Sequence, residues 1–177
     1  SALFMTGYAQ ELFDRIGRLG APALARHRFA CAEWILGGAS LAWAMAEPEP
    51  ADFATRLVWC RLLAHGGAIT KARDVTRDVA EHGPEALRRR ATLLLADILR
   101  HAADANASAA VLEALVVETP RERIDRDLRL AMALAVRGDF ARATDLIEAL
   151  PRELDGLDVS ERRIVRCSLA TAFLASS

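Results

Sequence analysis

Apolar residues recur at intervals of three and four along most of the chain, as they do on one face of an α-helix. Short breaks separate these stretches, and nearly all of them contain glycine or proline. β-branched and aromatic residues are too sparse and scattered to predict several strands. The pattern therefore predicts an all-α protein, with helices at 3–18, 23–36, 39–46, 51–65, 68–82, 85–101, 105–118, 121–137, 139–150 and 158–175.

One type of junction between helices recurs three times, at intervals of 36 and 35 residues. The junction residues are Gly67, Ala103 and Gly138. A small residue follows five positions after each of them: Ala72, Ser108 and Ala143. A fixed period of this length is typical of helical solenoids, in which each helix pair buries its apolar face against its neighbours.

The repeats divide the chain into three parts within a single predicted domain, 1–177. Residues 1–50 form irregular N-terminal helices, 51–151 form three helix pairs, and 158–175 form a terminal or capping helix. Prolines are expected to end the pairs: Pro84, Pro120 and Pro151. The predicted packing core comprises Leu62, Leu63, Leu94, Leu95, Leu112, Leu115, Leu130, Leu134 and Ile147.

The segment 29–46 is apolar and carries a single charge, Glu33, so it superficially resembles a membrane span. Gly37-Gly38 interrupts it, and two adjacent glycines are costly inside a helix. We therefore expect a buried helix pair and no membrane span, with Trp34 and Trp43 packed against the following repeat.

Composition narrows the class of protein. The 177 residues are 53% hydrophobic, which is enough for one core, and Lys71 is the only lysine. Abundant alanine and arginine indicate a GC-rich bacterial genome. The net charge of −1 argues against a general nucleic-acid binder, and the run Arg88-Arg89-Arg90 is interpreted as a solvated helix face.

The three cysteines, Cys31, Cys60 and Cys167, are far apart and form no CxxC pair. This spacing indicates neither a zinc site nor a disulfide framework. All three lie on apolar stretches, so we expect small core residues in a reducing compartment, the cytoplasm.

Residues 130–143 resemble the tetratricopeptide repeat. The resemblance rests on the large–small step Leu130-Ala131, the turn Gly138-Asp139-Phe140, the close-packing Ala143 and the later apolar Ile147. Weaker matches extend the resemblance over 51–151. One copy is matched by Trp59-Cys60, Gly67, Ala72 and Pro84. Another is matched by Ala103-Asp104, Ser108, Leu112, Leu115 and Pro120. The resemblance implies a right-handed α-solenoid with a concave groove lined by the first helix of each pair.

Placed on that groove by the resemblance, six charged residues become candidate peptide-binding residues: Arg61, His65, Arg90, Asp97, Arg100 and His101. Arginine suits a carboxylate through paired hydrogen bonds, so we expect a protein or peptide partner with acidic groups. The alternative is an ordinary solvated face with intrahelical ion pairs, such as Asp97 with Arg100 or His101.

No sequence motif for an enzyme is present: HExxH, GxSxG, GxxxxGK[ST] and GxGxxG are all missing. A metal site using His65, His101 and Asp97 would need further ligands. We therefore predict no catalytic residues, no cofactor and no metal.

The predicted function is a non-catalytic protein–protein interaction or scaffold module of a bacterial protein. The alternative is a regulatory or positioning domain of a larger protein, such as a transcriptional regulator or a glycan-modifying enzyme. Exposed solenoid ends tend to self-associate, so a homodimer through the N-terminal pair or the final helix is a further candidate.

Overall fold

The computed structural model describes residues 2–20 and 25–153, and within these ranges all regular structure is α-helical. The predicted all-α class is confirmed. The described helices are α1 (Ala2–Leu19), α2 (Ala25–Ile35), α3 (Gly38–Ala46), α4 (Phe53–His65), α5 (Ile69–His82), α6 (Glu85–His101), α7 (Ala105–Glu113), α8 (Pro120–Arg137) and α9 (Phe140–Glu153). The helix predicted at 158–175 lies outside the described residues.

The chain forms two compact units, Ser1–Leu94 and Leu95–Ser177, whose boundary falls inside α6. In the first unit α1 packs on α2, α2 and α3 pack on α4, and α4 packs on α5. In the second unit α7 packs on α8, and α8 packs on α9.

The three repeated junctions have the same backbone geometry. Gly67, Ala103 and Gly138 all have a left-handed φ, of 88°, 61° and 88°. After each of them, the next N–H donates to the carbonyl five residues back: Ala68 to Leu63, Asp104 to Leu99 and Asp139 to Leu134, each at 2.9 Å. This pairing is the Schellman motif, which satisfies the last carbonyls of a helix. The sequence period therefore corresponds to a repeated structural unit.

The small residue that follows each junction is buried. Ala72, Ser108 and Ala143 are 0%, 1% and 4% exposed. In the second unit the Ser108 hydroxyl also donates to the Ala96 carbonyl of α6, at 2.8 Å. A small side chain at this position allows the second helix of the pair to approach the first closely, because a larger one would have no room.

At the start of several helices, a side chain accepts a hydrogen bond from a backbone N–H group that would otherwise have no partner. Asp52 accepts from Thr55 N, and Asp104 accepts from Ala107 N. Thr119 and Glu122 form a reciprocal capping box at the start of α8. Such caps stabilise a helix by about 1 kcal/mol each, so they help to fix where α4, α7 and α8 begin.

Two predicted helix ends are wrong. The second helix of the second pair ends at Glu113, not at 118, and the chain is extended at Thr119, before the next helix begins. Pro120 therefore starts α8 at its first turn, where its missing N–H costs nothing, and does not terminate α7. Pro151 does not end the third pair either, since α9 continues to Glu153.

Most of the predicted core is buried. Leu115 and Ile147 are the exceptions, since both are only half-buried. Leu115 follows the end of α7, so it lies outside the helical register that the prediction assumed. The buried members are Leu62, Leu63, Leu94, Leu95, Leu112, Leu130 and Leu134.

The segment 29–46 is broken where the glycine pair predicts it. Leu36 and Gly38 both have a positive φ, and they separate α2 from α3. Every helix in the described ranges falls short of the long apolar stretch that a membrane crossing requires.

The rings of the N-terminal helices pack on one another. Trp43 contacts Phe13 and Phe29, and the Arg28 guanidinium lies 4.4 Å from the Phe13 ring and 4.3 Å from the Trp43 ring. The aromatic ring contacts of Trp43 are thus with residues of the preceding helices α1 and α2. Trp59 of α4 links that helix to α3, because its indole N–H donates a hydrogen bond to the Ala44 carbonyl at 2.8 Å. The side chain of Trp34 lies outside the described part of the structure.

Two of the three cysteines can be placed, and both are buried free thiols, as predicted. Burial raises the pKa of Cys60 to about 11, so this thiol stays protonated and unreactive at neutral pH. Burial also raises the pKa of Cys31. Cys167 lies outside the described residues.

Ala143→Trp should strongly destabilise the protein, because no space is available for a large ring where α9 meets α8. Overpacking of this kind costs at least about 1–3 kcal/mol. Thermal denaturation followed by circular dichroism measures the effect. Ala141→Trp, at an exposed position of the same helix, is the control and should change the melting temperature little. Equal melting of the two variants would disprove the assigned packing of α9.

Ala103→Gly should stabilise the protein, and Gly138→Ala should destabilise it, each by about 1 kcal/mol, since a left-handed φ strains a side chain with a Cβ. The space around Gly138 is open, so a Cβ there meets no atom within 4 Å and the backbone conformation alone is tested. Urea denaturation of the wild type and the two variants gives the change in the free energy of unfolding for each variant. Shifts of the same sign would contradict the equivalence of the junctions.

Candidate functional site

The six candidate residues fall into two groups of three. Arg61 and His65 lie in the last two turns of α4 and, with Arg90 in α6, belong to the first unit. All three are exposed. The second group, at the C-terminal end of α6 in the second unit, consists of Asp97, Arg100 and His101.

Arg61 is paired within the first unit. Its guanidinium hydrogen-bonds the Glu33 carboxylate of α2, and the Arg61 side chain is 49% exposed. An ion pair this exposed contributes at most about 1 kcal/mol, because water solvates both charges well. A carboxylate of a partner could therefore replace Glu33 at little cost.

His65 and Arg90 make no ion pair with any residue that the structure describes. His65 is the last residue of α4, directly before Gly66 and the left-handed Gly67. These two side chains are thus available for anionic groups.

Asp97 belongs to an ion-pair network in the second unit. Its carboxylate accepts from Arg129 Nε of α8 at 3.0 Å, and Arg129 also donates to the Asp125 carboxylate and backbone carbonyl. Arg100 lies 3.9 Å from Asp97, a longer contact than the one Arg129 makes. Asp97 and Arg100 are the candidate residues that the structure brings together.

The network holds Arg129 firmly in its charged form. Burial by itself lowers the pKa of Arg129, but the nearby carboxylates of Asp97 and Asp125 and their hydrogen bonds raise it by more, so the net shift is upward. Asp97 thus links α6 to α8 and is less free to meet a partner than the sequence suggested.

Arg100 keeps part of its hydrogen-bonding capacity. Its buried Nε donates to no acceptor among the described residues, and its side chain is 21% exposed. Its carboxylate neighbour, Asp97, is already held by Arg129 at the shorter distance. Asp97 therefore holds Arg100 less tightly than it holds Arg129.

Sequence reasoning missed two partners of the candidate residues, Glu33 and Arg129. The spacing of Asp125 and Arg129, four residues apart on one helix, is a signal for an ion pair. No sequence signal connects Asp97 to Arg129, or Glu33 to Arg61, because these pairs form across helices.

The histidines and acidic residues do not assemble into a metal site within the described ranges. No group of three or more His, Cys, Asp or Glu side chains there could hold a metal ion. His82 instead lies beside Asp78, one turn earlier on α5, with Nδ1 at 3.0 Å from the carboxylate.

No protein-family model matches this chain, and no curated protein or solved structure matches it either. The likeness of 130–143 to the tetratricopeptide repeat stays a prediction from the sequence. The function proposed below rests on the residues and geometry of the chain itself.

Arg129→Met should destabilise the protein by about 1–3 kcal/mol, because it removes the guanidinium that hydrogen-bonds both Asp97 and Asp125. Arg142→Met is the control, since the Arg142–Glu113 pair is exposed and its loss should change stability little. Urea denaturation measures the free energy of unfolding of both variants. A double-mutant cycle with Asp97→Asn then isolates the pair, and a coupling energy of zero would show that Arg129 does not hold α6 to α8.

Proposed function

We propose that this protein is a non-catalytic helical-repeat module that holds an acidic peptide or protein partner. The observation that carries the proposal is the repetition of one junction, with a left-handed residue, the same pair of hydrogen bonds and a buried small residue each time. Repetition of one helix–turn–helix unit is typical of proteins whose extended surface binds other proteins.

The repeated units are proposed to stack as a right-handed solenoid of the tetratricopeptide type. Two features support this arrangement. The helix pairs α4–α5, α6–α7 and α8–α9 are joined by turns of two or three residues, and each pair has its small residue at the same place. Such pairs cannot bury their apolar faces alone, so stacking on a neighbour is the stable solution.

Arg61 and Arg100 are the proposed contacts for the partner's carboxylates, with His65 and Arg90 beside them in the first group. Arg61 has an easily displaced partner, and Arg100 has only a long contact, of 3.9 Å, with Asp97. Guanidinium groups bind carboxylates through two parallel hydrogen bonds, which gives direction as well as charge attraction. This chemistry favours a partner segment rich in Asp and Glu, or one that presents a C-terminal carboxylate.

A binding role also fits the surroundings of the acidic residues. Asp74 and Asp78 lie at exposed positions beside arginines, Arg73 and Arg56 respectively. A general acid or base usually occupies a desolvated cleft with a shifted pKa, whereas these pairs have the character of a solvated face. The proposal therefore assigns them to surface charge and not to proton transfer.

Charge reversal at the two arginines should abolish partner binding. Wild-type protein and the Arg61→Glu/Arg100→Glu variant are each immobilised and exposed to a lysate of a GC-rich bacterium, and captured proteins are identified by mass spectrometry. We expect a partner that the wild type retains and the variant loses. Its affinity for the purified wild type should fall as salt is raised, because exposed charges are screened.

The matched control is Arg77→Glu/Arg142→Glu. Arg77 and Arg142 are as exposed as Arg61, at 48% and 54% of the side chain, and one lies in each unit. This variant carries the same change in net charge and should keep the partner. If both variants lose the partner equally, or if the wild type captures nothing that survives purification, the proposed binding function is wrong.

A further inference from the structure

The helix α1 exposes a stripe of apolar side chains. Tyr8 and Leu19 are 59% and 64% exposed, and Leu12 between them is half-buried. Together with the exposed Arg15, they lie within about 60° of one another around the helix axis, because an α-helix turns about 100° per residue. We call these four residues the α1 stripe. A single exposed apolar residue is ordinary, whereas three on one stripe indicate a surface for interaction.

A cleft of about 280 Å³ lies between the α1 stripe and the start of α2. Three apolar side chains and two basic ones line it: Leu12, Arg15, Ile16, Leu19 and His27. Pockets for small molecules usually enclose about 300–1,000 Å³, so this cleft is better suited to one large side chain than to a cofactor.

The charges beside the stripe include both signs. Glu11 and Arg18 lie on one flank of it, within about 20° of each other around the helix axis. Both are exposed, as Arg15 is, and none of the three has an ion pair with any residue that the structure describes. The pairing that the helix itself offers, Glu11 with Arg15 at a spacing of four residues, is weak at an exposed position. These charges can therefore pair across an interface.

The stripe is complementary to itself under a two-fold rotation. When such a rotation relates two antiparallel helices, each contact occurs twice, with the roles of the two copies exchanged. Tyr8 and Leu19 lie equally far from the middle of the stripe, so each faces the other residue on the second copy. The same rotation brings Glu11 within about 3 Å, measured along the axis, of Arg15 and Arg18 of the second copy. The two Arg15 side chains also approach each other, and the Glu11 carboxylate beside each of them offsets the repulsion.

We propose that the protein forms a two-fold symmetric dimer through the α1 stripe. Tyr8 of each copy enters the cleft of the other and packs on Leu12 and Leu19, with its hydroxyl at the rim beside the exposed His27. The charges select the antiparallel orientation, because a parallel one would place Glu11 beside Glu11 and Arg15 beside Arg15. The interface uses none of the residues of the proposed function, so the two proposals can fail separately.

The dimer should be weak. The 18 residues of α1 extend over about 27 Å, and one face of such a helix with a small cleft buries less than the roughly 800 Å² per partner of a standard interface. We therefore expect a dissociation constant of about 10–100 µM. Analytical ultracentrifugation of the full chain, from about 5 to about 500 µM, should show a monomer that converts to a dimer as concentration rises.

Loss of the tyrosine ring should weaken the dimer. Tyr8→Ala should raise the dissociation constant at least about tenfold, because aromatic side chains that fill a pocket dominate the binding energy of small interfaces. Phe140→Ala is the matched control, since Phe140 is also 59% exposed but lies in the second unit. It should leave the dissociation constant unchanged, and circular dichroism should show both variants folded as the wild type is.

A charge exchange tests the antiparallel register. Glu11→Arg makes the flank wholly basic, and Arg15→Glu/Arg18→Glu makes it wholly acidic, so each variant alone should dimerise at least about tenfold more weakly than the wild type. Mixed together, the two variants should form a heterodimer at least as stable as the wild-type dimer. Glu81→Arg, the same change at an exposed position of α5, is the control and should dimerise as the wild type does.

Three results would each overturn the proposal. The first is a chain that sediments as a monomer at every concentration. The second is equal weakening by Tyr8→Ala and Phe140→Ala, which would place the interface elsewhere. The third is a mixture of the two charge variants that associates no better than either variant alone, which would exclude the pairing of Glu11 with the arginines of a second copy.

Discussion

The close approach of two helices after a left-handed turn is the contact that recurs through the structure. At each of the three junctions the chain leaves one helix through a residue with positive φ, and the next helix places a small buried side chain five residues later. The two features depend on each other. The left-handed residue sets the angle at which the second helix begins, and the small residue allows that helix to pack at the distance the turn imposes. The three helix pairs are therefore variants of one unit.

The charged residues follow from this arrangement. Once alanine, leucine and a few hydroxyl groups fill the helix contacts, the arginines and carboxylates occupy the remaining faces. Some pair across helices, as Arg129 does with Asp97, and these pairs fix the helices in register. Others are exposed or weakly paired, as Arg61 and His65 are, and can exchange their partners or water for a ligand. The proposed function uses charges of the second kind.

Sequence reasoning succeeded where the signal was local. The glycine pair at 37–38 predicted the break between α2 and α3, and the 35-residue period predicted all three junctions, although Ala103 lacks the glycine that usually adopts this conformation. It failed at Pro120, which begins α8 and does not end α7. Proline is compatible with both positions, and only the capping box of Thr119 and Glu122 decides between them. Leu115 was consequently assigned to the core although it is only half-buried.

The sequence by itself determined the helical class, the position of most helices and the identity of the small residues between paired helices, because these depend on backbone preferences and on a period of 3.6 residues. Only the tertiary structure decided which charges meet: Glu33 with Arg61, Asp97 with Arg129, and Glu49 with Arg56. Within the described residues it also decided which buried polar atoms lack a well-aligned hydrogen-bond partner, such as Arg100 Nε. The physical reason is that an ion pair between helices depends on the distance and rotation at which those helices pack, and these follow from side-chain volumes summed over many contacts.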